Sequence, residues 1–387
     1  MSFFGNDAIN RVTLHSTIQA LAQGAGGVFV FVFLLKAGVP APLVFCTLAA
    51  MNAGRFALRP LVLIVGRRFG LRSTLMIGTV LEAAIFPMLP YVHGPGPLLL
   101  ALIAVSALGS VFYWTSLHAV VAALGDAEHR GKQIGVRAAA TAAMSIVAPW
   151  LGGWGLTALG PAPTFALVAG VQAAAALPLL GAPNPPVVEH APGGWRAARR
   201  AVAMQAADGW FSAGFFYVWQ IALFLTLGER FADFGGAMAL AGVAGAAGGL
   251  VIGRFIDLGH GRRSLGVAYA ACVGVLILKA VSLHSPALAV LANALATVAL
   301  ILLEPVMMAP IYNMAQASPC PLRFHMATEG GWDTGCAVAC LIAAAMVWAR
   351  LPLSAPILLG LGGAAAGFVI LRRSYAAPAP APAPAGT

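Results

Sequence analysis

Apolar positions along this chain come in blocks of about twenty, separated by short breaks of Gly, Pro and charged residues. Within each block the apolar run is nearly continuous, which predicts helices that are hydrophobic all round. Roughly twenty such residues span a bilayer core. The blocks fall at about 14–35, 41–65, 73–91, 97–122, 134–157, 163–181, 202–227, 236–254, 264–283, 287–312, 325–348 and 354–371, so twelve spans are predicted. The longest polar break, "GAPNPPVVEHAPGGWRAARR", lies midway and divides the spans into two sets of six. The expected organisation is a six-helix bundle over 1–180, a cytoplasmic linker over 181–200, a second six-helix bundle over 201–373, and a Pro/Ala tail over 374–387 that cannot build a core.

Composition agrees with a membrane solvent. Of 387 residues, 60% are hydrophobic and 9% charged, against about 25% charged in a soluble domain. Five scattered cysteines, mostly in apolar or small-residue contexts, do not read as a disulfide framework. No short signal-peptide pattern precedes the first span, so the N-terminus is expected to be retained and cytoplasmic. The net charge of +10 invites a nucleic-acid reading, but its distribution follows topology. With the N-terminus inside, sixteen Lys and Arg residues fall in cytoplasmic segments and four on the other side. Both termini are therefore expected inside, in an inner-membrane protein that works as a monomer, with no nucleic-acid partner.

Two loops resemble each other across the linker, "VGRRFGLRSTLMIG" at 65–78 and "IGRFIDLGHGRRSLGVA" at 252–268. Duplicated halves around a central site are a transporter architecture. The stretch "GRFIDLGHGRR" is similar to the loop motif of the major facilitator superfamily, Gly-x-x-x-Asp followed by Gly-Arg-Arg/Lys, with one extra residue before the second Gly. "APWLGG" at 148–153 resembles the Gly-Pro-x-x-Gly-Gly stretch of the same family, with Ala148 for the first Gly. The resemblance implies an all-α membrane fold of twelve helices in two pseudosymmetric six-helix bundles, with spans one, four, seven and ten around a central cavity. It also implies that Asp257, with Arg262 and Arg263, gates the cytoplasmic side against the start of span five, where the helix dipole is positive. In the first loop no acid occupies the matching position beside Gly66, Arg67 and Arg68, so a second lock against span eleven must come from elsewhere.

Ionisable residues inside spans are functional candidates. Span one carries His15, Gln19 and Gln23 at helical spacing, and span two carries Asn52, Arg55 and Arg59 on one face. Glu82 lies at nearly the depth of Arg55, so one reading pairs them within the first half. Span four offers Tyr113, Trp114, Thr115 and His118; span seven Asp208, Trp210, Tyr217 and Gln220; span ten Glu304, Tyr312 and Asn313. Glu304, isolated between "LILL" and "PVMM", suits proton coupling, as do Asp208 and Asp333. Span eleven begins "RFHMATEGGWDTG", which sets His325, Glu329 and Asp333 four apart on one face. Under the resemblance, spans two and eleven meet, so Arg55 and Arg59 face Glu329 and Asp333 and replace the missing lock. Gly330 and Gly331 are expected to let span two approach closely or let the helix flex.

Function follows with its alternatives. No phosphate-binding loop occurs, which argues against direct ATP use. His325 and Asp333 are about 12 Å apart along a helix, too far to share one ion, so no metal site is expected. The leading expectation is a secondary transporter of a small solute, an organic anion suited to two buried arginines, coupled to protons and needing no cofactor. Efflux of cationic or amphipathic compounds is the alternative within the class. A polytopic enzyme acting on lipid-linked substrates is the alternative outside it, although no Gly-x-Ser-x-Gly or His-Glu-x-x-His motif supports it.

Overall fold

The computed structural model describes residues 6–124, 130–187, 193–256 and 261–374. They form twelve long helical segments: α1 Asp7–Lys36, α2 Ala41–Phe69, α3 Leu71–Tyr91, α4 Pro97–Leu124, α5 Arg130–Ala158, α6 Pro161–Gly181, α7 Arg199–Thr226, α8 Phe231–Ile256, α9 Gly261–Val281, α10 Pro286–Gln316, α11 Pro321–Trp348 and α12 Ser354–Arg373. Eleven of these are apolar and long enough to cross a membrane by length and composition among the described residues, and α5 is a helix of comparable length. Each of the twelve predicted spans corresponds to one of these helices, with bounds that agree to within five residues except at the start of α1, which lies seven residues earlier than expected.

Local chemistry sets the boundaries. Proline opens α4, α6, α10 and α11, where its missing N–H costs nothing and its fixed φ suits the first turn. Gly70, at φ +81°, closes α2 and turns the chain directly into α3. Prolines also sit inside helices, at Pro60, Pro149, Pro305 and Pro310, each removing one backbone hydrogen bond. Helix α7 carries a π-helical turn over Ala213–Val218. The linker begins by packing under the α2–α3 turn, where the Arg72 backbone N–H donates to Asn184 and Asn184 donates to the Phe69 carbonyl at 2.7 Å.

The packing pattern repeats with an offset of six. In the first half α1 packs on α5 and α6, α2 on α4, and α3 on α4 and α6. In the second half α7 packs on α11 and α12, α8 on α10, and α9 on α10 and α12. The halves join along two long seams, α2 with α11 and α5 with α8, and the same offset exchanges one seam for the other. Two pseudosymmetric six-helix bundles are thus present, as the repeat predicts. Helices α4 and α10 make no substantial packing contact with each other among the described residues, and the region between the halves that they flank is termed the central space.

Glycine makes the α5–α8 seam possible, since a methyl on Gly153 would overlap the Phe231 carbonyl and one on Gly235 the Pro149 carbonyl. The span-eleven glycines divide their roles, contrary to the joint role expected of them. Gly330 faces Phe56 of α2, whereas Gly331 lies against the Val202 backbone of α7 within its own half. Twelve spans put both termini on one face. At the opposite face the halves are closed by rings: Phe29 packs edge-on to Phe231 and Phe234, Phe33 stacks on Phe231, and Phe31 meets Tyr217. An exposed pair, Lys36 with Glu229 at 3.6 Å, lies nearby.

Candidate functional site

The α2–α11 seam carries a buried charge cluster near mid-membrane. Arg55 and Arg59 are one turn apart on α2, and Glu329 and Asp333 are one turn apart on α11, so two i,i+4 pairs interdigitate. Arg55 lies 3.2 Å from Asp333 and 3.7 Å from Glu329. Arg59 donates to Asp333 through Nη2 and to Glu329 at 3.3 Å. Asp333 is wholly buried and Arg59 nearly so. Two cations face two anions, which is how such charges survive away from water. The acids expected to replace the missing loop lock therefore do meet the span-two arginines.

The cluster extends on both sides. Towards the face carrying the termini, His118 of α4 places Nε2 3.6 Å from Glu329 and stacks on His325, whose ring meets Tyr312 edge-on. Cys320 at the N-cap of α11, with Leu322 and Met326 of that helix, joins Val12, Leu71 and Leu117 of the first half in an apolar layer below it. In the other direction Trp332 lies with its ring 5.6 Å from the Arg55 guanidinium and donates its indole N–H to Asp208 at 3.1 Å. Tyr217, on the π turn of α7, packs edge-on to Trp332. Asn52 donates to the Leu48 carbonyl and to the Cys336 sulfur, one turn beyond Asp333.

Glu82 is elsewhere. It does not pair with Arg55, because it faces α1 and α6 inside the first half, where Gln19 donates to it at 2.6 Å, Gln172 at 3.2 Å and Gln23 at 3.4 Å. His15 is also interior to that half and not near solvent. Its Nδ1 meets the Ala175 carbonyl at 2.7 Å, at the C-terminal end of the α-helical part of α6, and its ring lies 5.7 Å from Tyr113. The candidates on α1 and α4 thus divide: His15, Gln19 and Tyr113 are buried in the bundle, while His118 reaches the seam.

On the second half, Glu304 and Asn313 are exposed and Gln220 half-buried. Glu304 lies within Coulombic reach of Arg137 on α5 and of Asp208 on α7. Arg137 reaches Tyr113 and His118 on α4 in the same way. These groups lie near one another on helices of both halves, and none of Arg137, Asp208 and Glu304 has an ion-pair partner within 4 Å among the described residues. Asp257 lies outside the described residues, and the Arg262 and Arg263 side chains are likewise not described, so the loop gate has no geometry here. In the sequence Arg137 is one of the sixteen basic residues assigned to cytoplasmic segments, and neither Trp332 nor Gln172 stands out as a site residue. Depth was the available signal for Gln172, a lone polar residue midway along span six, level with Glu82.

The twofold packing and the paired seams are the arrangement expected of the family suggested by the loops. The model of the Major Facilitator Superfamily matches residues 16–321. This chain belongs to that superfamily. Among solved structures it is similar to a POT family transporter in complex with 5-aminolevulinic acid, with a TM-score of 0.73, 12% identity, and 96% of each chain covered. A POT family transporter in complex with a thioalcohol-conjugated peptide aligns with the same score and identity over 95% of this chain and 96% of that one. A POT peptide transporter in complex with sulfate aligns at 0.70 with 13% identity, over 97% of this chain and 96% of that one. At such identity the likeness shows the fold. No curated protein matches the sequence. Within the superfamily the chain is a multi-pass membrane transporter and not an enzyme, which removes the lipid-linked alternative.

Proposed function

We propose that this protein is a proton-coupled secondary transporter of a small organic solute bearing both an anionic and a cationic group. It would lie in the inner membrane as a monomer with both termini in the cytoplasm, and rock its two halves about the central space. The observation that carries the reading is the sorting of charge where the halves face each other: Arg55, Arg59 and Arg137 come from the first half, and Asp208, Glu304, Glu329 and Asp333 from the second, while Glu82 and Lys279 lie inside their own halves. The arginines that suggested a simple anion are each matched by an acid, which shifts the anion-binding role to Arg137 and leaves Asp208 and Glu304 for a cationic group. A solute that carries both signs draws the halves together, and binding energy then drives closure. Glu304 and Asp208 serve as the proton carriers, because neither has an ion-pair partner within 4 Å among the described residues. The Arg55–Arg59–Glu329–Asp333 cluster serves as the cytoplasmic gate. Peptide and 5-aminolevulinic acid, named with the similar structures, are the first solutes to try.

Purified protein in proteoliposomes with an inward proton gradient tests this. Uptake of a chemically unchanged amphoteric solute is expected, lost in Glu304→Gln and weakened at least tenfold in KM by Arg137→Gln. Uptake of simple monoanions in preference, or equal uptake without a gradient, would overturn it.

A further inference from the structure

Glu82 is a nearly buried carboxylate at mid-membrane, 5% exposed, with no cation within 4 Å among the described residues. A lone anion in such a place costs several kilocalories per mole unless something neutralises it. Three carboxamides, from α1 and α6, converge instead on one of its oxygens. Gln172 also donates to the Gln19 oxygen, and the Gln172 carbonyl oxygen, wholly buried, has no partner. A glutamine head is ambidextrous, donating through nitrogen to a bare carboxylate and accepting through oxygen when turned over. Three side chains that solvate the Glu82 anion in one orientation therefore offer three amide oxygens beside its carboxylate in the other. That is a donor set for a hard monovalent cation, whose preferred ligands are oxygens.

We propose that Glu82, Gln19, Gln23 and Gln172 form a binding site for one monovalent cation, Na⁺ or a proton, and that its occupancy controls Arg55. Arg55 is within Coulombic reach of Glu82, and it is turned to Asp333 and Glu329 across the seam. The remaining titratable neighbour is Tyr113 from α4, and the α4 backbone at Gly109 lies against Glu82 itself. An empty site leaves Glu82 anionic and pulling on Arg55. A filled site cancels that pull and gives Arg55 wholly to the second half, so cation binding tightens the α2–α11 seam. Its use in transport rests on the function proposed above, whereas the binding itself does not.

The test is thermal unfolding of the purified full chain in detergent. NaCl is exchanged for choline chloride at constant ionic strength at pH 8, and the Na⁺-free protein is then taken from pH 8 to 5.5. Saturating cation is expected to raise the midpoint by about 2–4 °C. A response to Na⁺ at fixed pH identifies Na⁺, and a response to acid alone identifies the proton. Glu82→Gln, an isosteric neutral mimic of the filled site, is expected to abolish the response. Gln172→Met, which keeps the volume and removes the ligand oxygen, is expected to shift half-saturation about tenfold in cation concentration. A wild-type protein indifferent to both cations, a Glu82→Gln protein that responds like wild type, or an unshifted Gln172→Met would each overturn the site. Because Arg55 and the cation compete for one carboxylate, Asp333→Asn should also weaken cation binding about tenfold. Unchanged affinity there would overturn the link to Arg55. A chain that binds the cation yet moves no solute would sink the transport reading and leave this one standing.

Discussion

Asp333, wholly buried on α11, lies 3.2 Å from Nε of Arg55 and accepts a hydrogen bond from Arg59, so one carboxylate holds both arginines of α2. Removing it leaves two buried cations against Glu329 alone. Asp333→Ala is expected to cost about 3–5 kcal/mol, the usual penalty for breaking a buried pair from one side. Removing one charge of each sign together, as in Arg59→Met with Asp333→Leu, leaves Arg55 balanced by Glu329 and should recover most of the loss. Unfolding of the purified variants measures both. If the cluster is a gate, Arg59→Ala and Asp333→Ala should also raise labelling of a cysteine placed by Tyr312→Cys in a cysteine-free background. Normal labelling in both would show that the pairing is structural only.

Trp332 separates two roles that a single substitution can divide. Its ring lies over Arg55 and its N–H goes to Asp208. Trp332→Phe keeps an aromatic face for the guanidinium and removes the donor. The expected stability loss is about 1.5–3 kcal/mol, the range for a hydrogen bond to a charged group. Solute KM should rise with little change in kcat, because Asp208 is then free to rotate away from the central space. Trp332→Ala should lose both contacts and lower kcat as well.

The architecture was legible because the physics that sets it is written in one dimension. Apolar block length fixes the spans, and Gly and Pro mark their ends. The pairing of Arg55 and Arg59 with Glu329 and Asp333 was also legible once the family resemblance brought spans two and eleven together, because four-residue spacing on two helices that meet leaves few alternatives. Rotation of a helix about its own axis was not. Glu82 matches Arg55 in depth, yet it points to α1 and α6, and only the packed bundle decides that. His15 is near a helix end in sequence and still fully buried, because the last turns of α6 cover it. The roles of Trp332 and Arg137 depend on which neighbours surround the central space, which no local pattern encodes.

Lys279 on α9 gives a third prediction. It is 1% exposed, donates to the Phe215 carbonyl at 2.7 Å and lies against the rings of Phe215 and Trp219, 3.8 and 5.0 Å from their centroids. Phe215 belongs to the π turn of α7, whose other side presents Tyr217 to Trp332. One carbonyl and two ring faces meet the ammonium, with no carboxylate paired to it among the described residues. Lys279→Met keeps the stem and leaves that carbonyl short of a donor, which costs about 1–3 kcal/mol. The π turn should then relax, so a cysteine introduced by Tyr217→Cys should label at a different rate in the variant. Loss of stability with unchanged labelling would mean that Lys279 only packs.

The α5–α8 seam supplies a prediction with its own control one residue away. A Cβ on Gly235 of α8 would overlap the Pro149 carbonyl, and it would lie 3.1 Å from the Gly153 Cα and 3.2 Å from the Phe29 ring. On Gly236 a Cβ would meet nothing within 4 Å. Both residues sit in the same helix, so both substitutions change helix propensity alike and only one of them reaches the other half. Gly235→Val is expected to cost about 1–3 kcal/mol through overpacking, whereas Gly236→Val should be neutral or slightly stabilising. The halves must part where the new side chain intrudes, and that point lies beside the ring cluster of Phe29, Phe231 and Phe234. Spin labels on the loops α1–α2 and α7–α8 should therefore report a longer separation for Gly235→Val than for wild type, and no change for Gly236→Val. Equal separations in the two variants would mean that this seam does not hold the opposite face closed.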